Sequence, residues 1–123
     1  MLRKFLCILL IFLALPAFSG ELEESLKTHD KVFLYMYASE CSYCEKFNPI
    51  YEKISRIYGG KKCKFLKIDA MTQYGTSIMK NLGVTYVPFV ALMNKNDKQI
   101  KTIVPTCLID YACAKNSVDK FVN

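Results

Sequence analysis

The chain lacks an arginine-rich stripe, an internal repeat, a low-complexity segment and an interdomain linker, and it carries a single histidine. Each absence narrows the reading. Seventeen basic residues against 11 acidic ones give a net charge of +6, but the lysines are scattered. The densest group, Lys61, Lys62, Lys64 and Lys67, reads as a solvated face, so no nucleic-acid partner is expected. Without repeats or linkers, 123 residues make room for one domain. His29 closes a short helical pattern and is read as a helix-end residue, not a catalyst. No apolar run reaches the ~20 residues of a confident membrane span.

The longest apolar run is N-terminal. Arg3 and Lys4 precede Phe5 to Leu15, Pro16 breaks the run, and Ala17 and Ser19 put small residues at −3 and −1 of a cleavage point. Residues 1–19 therefore read as a signal peptide, cut after Ser19 or, as second choice, after Ala17. Left uncut, residues 5–18 would anchor the chain, and only then would a membrane be involved. Cys7 lies inside the run and not at a cleavage point, so no lipoprotein signal is read. Removing the segment takes away two positive charges and no acid. It leaves a domain of residues 20–123, expected to be exported to a periplasmic or extracellular setting as a monomer.

A domain of this size buries a working core without disulfide staples. Yet of the six cysteines, five fall in it: Cys41, Cys44, Cys63, Cys107 and Cys113. Export puts them in an oxidising compartment. Five is odd, so one thiol is left over.

Elements follow from periodicity. Glu21–His29 reads as a short extra N-terminal helix, with Leu22 and Leu26 on one face and acids at its start. Val32–Tyr37 is an apolar run of strand length. Ser42–Tyr58 is a helix with Phe47, Ile50, Tyr51, Ile54 and Tyr58 on one face, stopped by Gly59-Gly60 and expected to kink at Pro49. Lys64–Ile68 is a second strand and Gln73–Leu82 a helix with Gly83 as its stop. Phe89–Met93 and Gln99–Val104 flank a turn cluster at Asn94–Asp97 and form a hairpin. Leu108–Val122 is the last helix. Strands separated by helices imply a parallel unit, to which the hairpin adds an antiparallel strand. The predicted architecture is α/β: a central four-stranded mixed sheet with helices on both faces.

Cys41-Ser42-Tyr43-Cys44 sits where strand becomes helix. A thiol there meets free N–H groups and the positive end of the helix dipole, which favour the nucleophilic thiolate. A second thiol one turn along is close enough to resolve a mixed disulfide.

With these features in order, the chain resembles the thioredoxin superfamily over roughly Val32 to Val104. The resemblance rests on the apolar strand into Cys41-x-x-Cys44, on Pro49 followed by Ile50, Ile54 and Tyr58, on Phe65-Leu66-Lys67-Ile68-Asp69, on Leu82-Gly83-Val84, and on Val87-Pro88 before an apolar strand. It implies a thioredoxin-like fold, with Cys41 attacking and Cys44 resolving. It also implies a cis Val87–Pro88 bond beside them. Pro88 has no N–H, which leaves the backbone of Val87 to pair with a substrate strand. Tyr43 and Tyr86 are expected near the cysteines, in contact with substrate. The implied partners are protein thiols and disulfides and a redox partner; no cofactor and no metal are implied.

The chain departs from the family pattern at several positions. Tyr35 stands where thioredoxins have a buried aspartate, and Phe65 where they have its partner lysine. Glu40 replaces the tryptophan before the first cysteine, and the chain has no tryptophan at all. Ser42 replaces the proline between the cysteines. The glutaredoxin lysine aligns with Ala38, and Asn94–Gln99 holds no glycine pair, so glutathione binding is not expected. No room exists between residues 20 and 30 for the first strand of full thioredoxins.

Among the remaining cysteines, Cys107–Cys113 is placed ahead of Cys63–Cys113 as a structural bridge. Six residues is too far within a regular helix, so that bridge requires Cys107 to lie in a loop. Tyr35, Tyr37, Tyr51 and Tyr58 read as core. Two other functions stay open on sequence. One is a binding module whose Cys41–Cys44 disulfide is static. The other is a metal-binding domain that adds Cys107 and Cys113 as ligands.

Overall fold

Five consecutive residues, Val32 to Met36, are buried on both sides of the chain, which places their strand at the centre of the sheet. The computed structural model describes residues 20–123, so the signal-peptide reading lies outside the described residues. In chain order the elements are α1 (Glu21–Thr28), β1 (Lys31–Tyr37), α2 (Ser42–Tyr58), β2 (Cys63–Asp69), α3 (Gln73–Leu82), β3 (Phe89–Asn94), β4 (Asp97–Ile103), α4 (Pro105–Leu108) and α5 (Tyr111–Val122). The sheet order is β2-β1-β3-β4. β1 pairs parallel with β2 and antiparallel with β3, and β3 pairs antiparallel with β4.

The period of two along β1 divides the core. Phe33 and Tyr35 face Phe47, Tyr51 and Ile54 of α2, together with Leu108, Ala114 and Val118. Val32, Leu34 and Met36 face Leu22 of α1 and Ile78 and Met79 of α3. The expected four-stranded mixed sheet with helices on both faces and an extra N-terminal helix is what the chain forms. α1 is held by Tyr74, whose hydroxyl accepts from the Leu22 N–H (2.9 Å) and donates to Glu23 (2.7 Å).

α2 continues through Pro49 to Tyr58. Gly83 ends α3 at φ 67°, a left-handed cap that suits glycine. Strand and helix ends shift by one or two residues, and the hairpin turn narrows to Lys95-Asn96. The larger correction is at the C-terminus. The expected helix Leu108–Val122 is two helices, because Asp110 adopts extended backbone (φ −108°, ψ 111°) and its carboxylate accepts the Cys113 N–H at 3.2 Å. A side-chain cap competes with the continuing helix at that point. Pro105 at the first helical position starts α4, a start signal the periodicity reading passed over.

Candidate active site

β1 delivers the chain to a tight turn in which Glu40 takes φ 61°, a left-handed conformation uncommon for a residue with a Cβ. The turn aims Cys41 at the start of α2 as its N-cap. The Cys41 sulfur accepts the Cys44 N–H at 3.2 Å, the task an N-cap oxygen usually performs. Cys41 and Cys44 form a disulfide with Cα atoms 5.1 Å apart. Cys41 is half-buried, whereas Cys44 is only 1% exposed. An incoming sulfur therefore reaches Cys41 first.

Beneath the pair lies Tyr35, fully buried. Its hydroxyl donates to Asn48 Oδ1 at 2.8 Å and lies 3.4 Å from the Cys44 carbonyl oxygen. Burial, reinforced by neighbouring Tyr37 and Tyr51, raises its pKa well above the usual phenol range, so it remains a proton donor. This link was missed on sequence, where Tyr35 read only as core. The available signal was Asn48 lying one helical turn after Cys44 on a face over β1.

Val87–Pro88 is cis. Pro88 is buried and Val87 half-buried. Because Phe89 pairs with Met36, Pro88 falls at the C-terminal end of β1, the end from which the chain runs on to Cys41. Tyr86 is 47% exposed with its ring edge on Phe89, and Tyr43 is 37% exposed with the Lys46 ammonium over its ring. Two apolar residues that sequence reading did not single out for the site share this end of the sheet. Met71 follows β2 and is 75% exposed; Val104 follows β4 and is 59% exposed.

The other cysteines fall elsewhere. Cys107 bonds to Cys113, tying α4 to the first turn of α5 with Cα atoms 5.3 Å apart. Cys107 is in the short helix α4 and not in a loop; the break at Ile109-Asp110 lets the two residues meet. Cys63 is fully buried and pairs in register with Lys31, at the opposite end of β1 from Cys41. That separation is about 20 Å at the rise of a strand. Among the described residues no cluster of three or more His, Cys, Asp or Glu side chains is arranged to hold a metal. Four of the five described cysteines are paired two by two, and Cys63 stands apart.

The arrangement is an accessible sulfur at a helix N-terminus and a shielded sulfur one turn on, with exposed apolar residues at the same end of the sheet. Such a site can pass a disulfide from one pair of thiols to another. Comparison with known proteins agrees with it. The thioredoxin family profile matches residues 14–107. A thioredoxin from Malassezia sympodialis is 33% identical over 76 residues, covering 61% of this chain and 70% of that protein. The oxidised thioredoxin of Plasmodium falciparum superposes with a TM-score of 0.67 at 18% identity, covering 84% of this chain and 91% of that one. Mitochondrial thioredoxin 3 of Saccharomyces cerevisiae gives 0.65 at 23% identity, covering 81% and 87%. The chain belongs to the thioredoxin family, and its Cys41-x-x-Cys44 pair makes it a thiol–disulfide oxidoreductase.

Proposed function

We propose that the protein is exported and exchanges disulfides with protein substrates, Cys41 attacking and Cys44 resolving. The observation that carries the assignment is the half-buried Cys41 sulfur at the N-terminus of α2, beside a Cys44 sulfur closed off from solvent. In the reducing direction the Cys41 thiolate attacks a substrate disulfide and expels one substrate thiolate. The Cys44 thiolate then attacks Cys41 Sγ and releases the second. Two electrons pass to the substrate, and the Cys41–Cys44 disulfide closes. The oxidising direction runs the same steps backward.

Tyr43, Met71, Tyr86 and Val104 expose apolar side chains at the cysteine end of the sheet, suited to substrate segments with exposed apolar side chains. The backbone of Val87 next to Pro88 offers pairing groups to such a segment. The export assignment is supported by Arg3 and Lys4, the apolar run 5–15 and the small residues 17 and 19. The Cys107–Cys113 bridge, outside the exchanging pair, also suits an oxidising compartment.

Trapping tests the reading. A Cys44→Ser protein, expressed with residues 1–19 in a cell that exports it, should accumulate adducts that vanish on reduction. Cys41→Ser should not. Cys63, Cys107 and Cys113 are changed to alanine in both, so that no other thiol forms or resolves an adduct. An absence of Cys41-dependent adducts would leave a binding module with a static disulfide. N-terminal sequencing of the exported protein checks the cleavage point.

A further inference from the structure

The oxidised pair needs no help to stay together, because the bond itself holds Cys44 against Cys41. The resolving step has no such constraint. Once Cys41 is bonded to a substrate, Cys44 must be held in reach of it by the surrounding protein. Among the described residues, the side chain that ties the first turns of α2 to the sheet by polar contact is Tyr35, whose hydroxyl bonds Asn48 (2.8 Å) and abuts the Cys44 carbonyl (3.4 Å). We propose that Tyr35, acting through Asn48, is the positioning residue for resolution: it clamps the Cys44–Asn48 turn onto β1 so that Cys44 Sγ stays aimed at Cys41 Sγ while the mixed disulfide exists. The proposal rests on the assignment of Cys41 as attacking and Cys44 as resolving thiol.

Three observations support it. The ring cannot swing away, since Phe47 meets it edge-on at 4.7 Å and Tyr51 packs at 5.3 Å. Across the sheet Lys67, paired in register with Tyr35, holds its ammonium 5.9 Å from the same ring and 4.8 Å from the ring of Tyr37. No buried side-chain oxygen or nitrogen among the described residues is left without a partner, and the hydroxyl's single proton goes to Asn48, the nearer of its two acceptors. A phenol held in its protonated form is a donor and not a base. Tyr35 thus acts through geometry, and the Cys44 proton leaves without help from it.

The test separates the two steps. Reduced protein, with its Cys107–Cys113 bridge retained, is mixed with 5,5′-dithiobis(2-nitrobenzoate). Attack by Cys41 releases one nitrothiobenzoate in a bimolecular step; attack by Cys44 on Cys41 Sγ releases the second in a unimolecular step. Tyr35→Phe, which keeps the ring, should slow the second release about tenfold, the worth of one buried hydrogen bond, and leave the first unchanged. Asn48→Ala should behave alike, and the double variant should be no slower than either single one. A Tyr35→Phe protein that releases the second equivalent at the wild-type rate, or that slows both steps equally, overturns the proposal. A wild-type protein that releases one equivalent only removes the Cys44 assignment itself, and the proposal with it.

Discussion

Cys44 and Cys113 occupy the same position, the third residue of a helix, and each donates its N–H to a cap 3.2 Å away. The caps differ. On α2 the cap is the sulfur of Cys41; on α5 it is the carboxylate of Asp110. When the first disulfide opens, the negative charge that develops on Cys41 sits at a helix N-terminus with a free donor pointing at it. When the second opens, that place is already taken by a carboxylate, whose charge disfavours a thiolate at Cys113. In this chain the N-terminus of α2 favours a thiolate on its own cap residue, whereas at α5 a carboxylate holds that place. The two pairs divide accordingly. One is bonded within a single turn of α2; the other clips a four-residue helix to the element that follows it.

The most severe way to break the comparison is to exchange the roles. Cys41→Ser should abolish disulfide exchange with a protein substrate. Cys107→Ala combined with Cys113→Ala should leave the rate unchanged, as read in an insulin-reduction assay. Equal losses in the two proteins would mean that both disulfides take part. The double alanine change should act on stability instead. Opening so short a loop costs about 2 kcal/mol in the chain-entropy account, visible as a lower urea midpoint, and a midpoint equal to wild type would deny the bridge its structural role.

Smaller is the effect of the carboxylate. Asp110→Ala should cost about 1 kcal/mol through loss of the α5 cap. Asp110→Asn keeps the capping oxygen and removes the charge, so stability should be nearly retained. With the bridge reduced, Cys113 should alkylate faster in the asparagine variant than in the wild type. Unchanged reactivity would show that charge at the cap does not separate the two cysteine pairs.

Cys63 supplies a third environment, a thiol with no helix terminus. Burial pushes it up from 9.0 to about 11, only partly offset by a Phe33 backbone hydrogen bond and the Lys31 charge. A thiol that holds its proton more tightly in the folded chain favours folding fully below its unfolded pKa. The benefit is lost as pH rises through the folded value. Urea midpoints should thus fall between pH 9 and 11, and Cys63→Ala should flatten that fall. Tyr51 and Tyr74, both raised by burial to about 12, extend the decline at higher pH in either protein. An identical pH dependence in the alanine variant would argue against the buried-thiol account.

What was legible in the sequence follows the strength of local signals. The bounds of α2 and α3 were read to the residue, because a cysteine cap, Gly59 and Gly83 punctuate strong apolar periodicity. The cysteine pair and Val87-Pro88 were found for the same reason: each is a short motif with its own chemistry. Three features escaped. The break at Ile109-Asp110 was overridden by helical periodicity running through it, although Pro105 and Asp110 are both helix-start residues. The Tyr35–Asn48 bond joins positions 13 apart in sequence, and no pattern local to either residue announces it. Met71 and Val104 lie just beyond strand ends, where their exposure depends on sheet order and not on any motif.

The finest distinction concerns the turn that presents Cys41. Glu40 combines a left-handed φ of 61° with a negative charge next to Cys41, the sulfur proposed to attack, and two substitutions separate those contributions. Glu40→Gly relieves a conformation costing roughly 1–2 kcal/mol in a residue with a Cβ, but loosens the unfolded chain by about 0.5–1 kcal/mol. The net gain in stability should fall between about 0 and 1.5 kcal/mol. Glu40→Gln keeps the strain and removes the charge, so Cys41 should alkylate about twofold faster at low salt, where an exposed charge acts over a Debye length of about 10 Å or more. The difference should shrink toward nothing near 1 M salt. A glutamine variant with wild-type reactivity at low salt would mean that Glu40 contributes to the site through its backbone alone, leaving the cap geometry as the source of Cys41 activation.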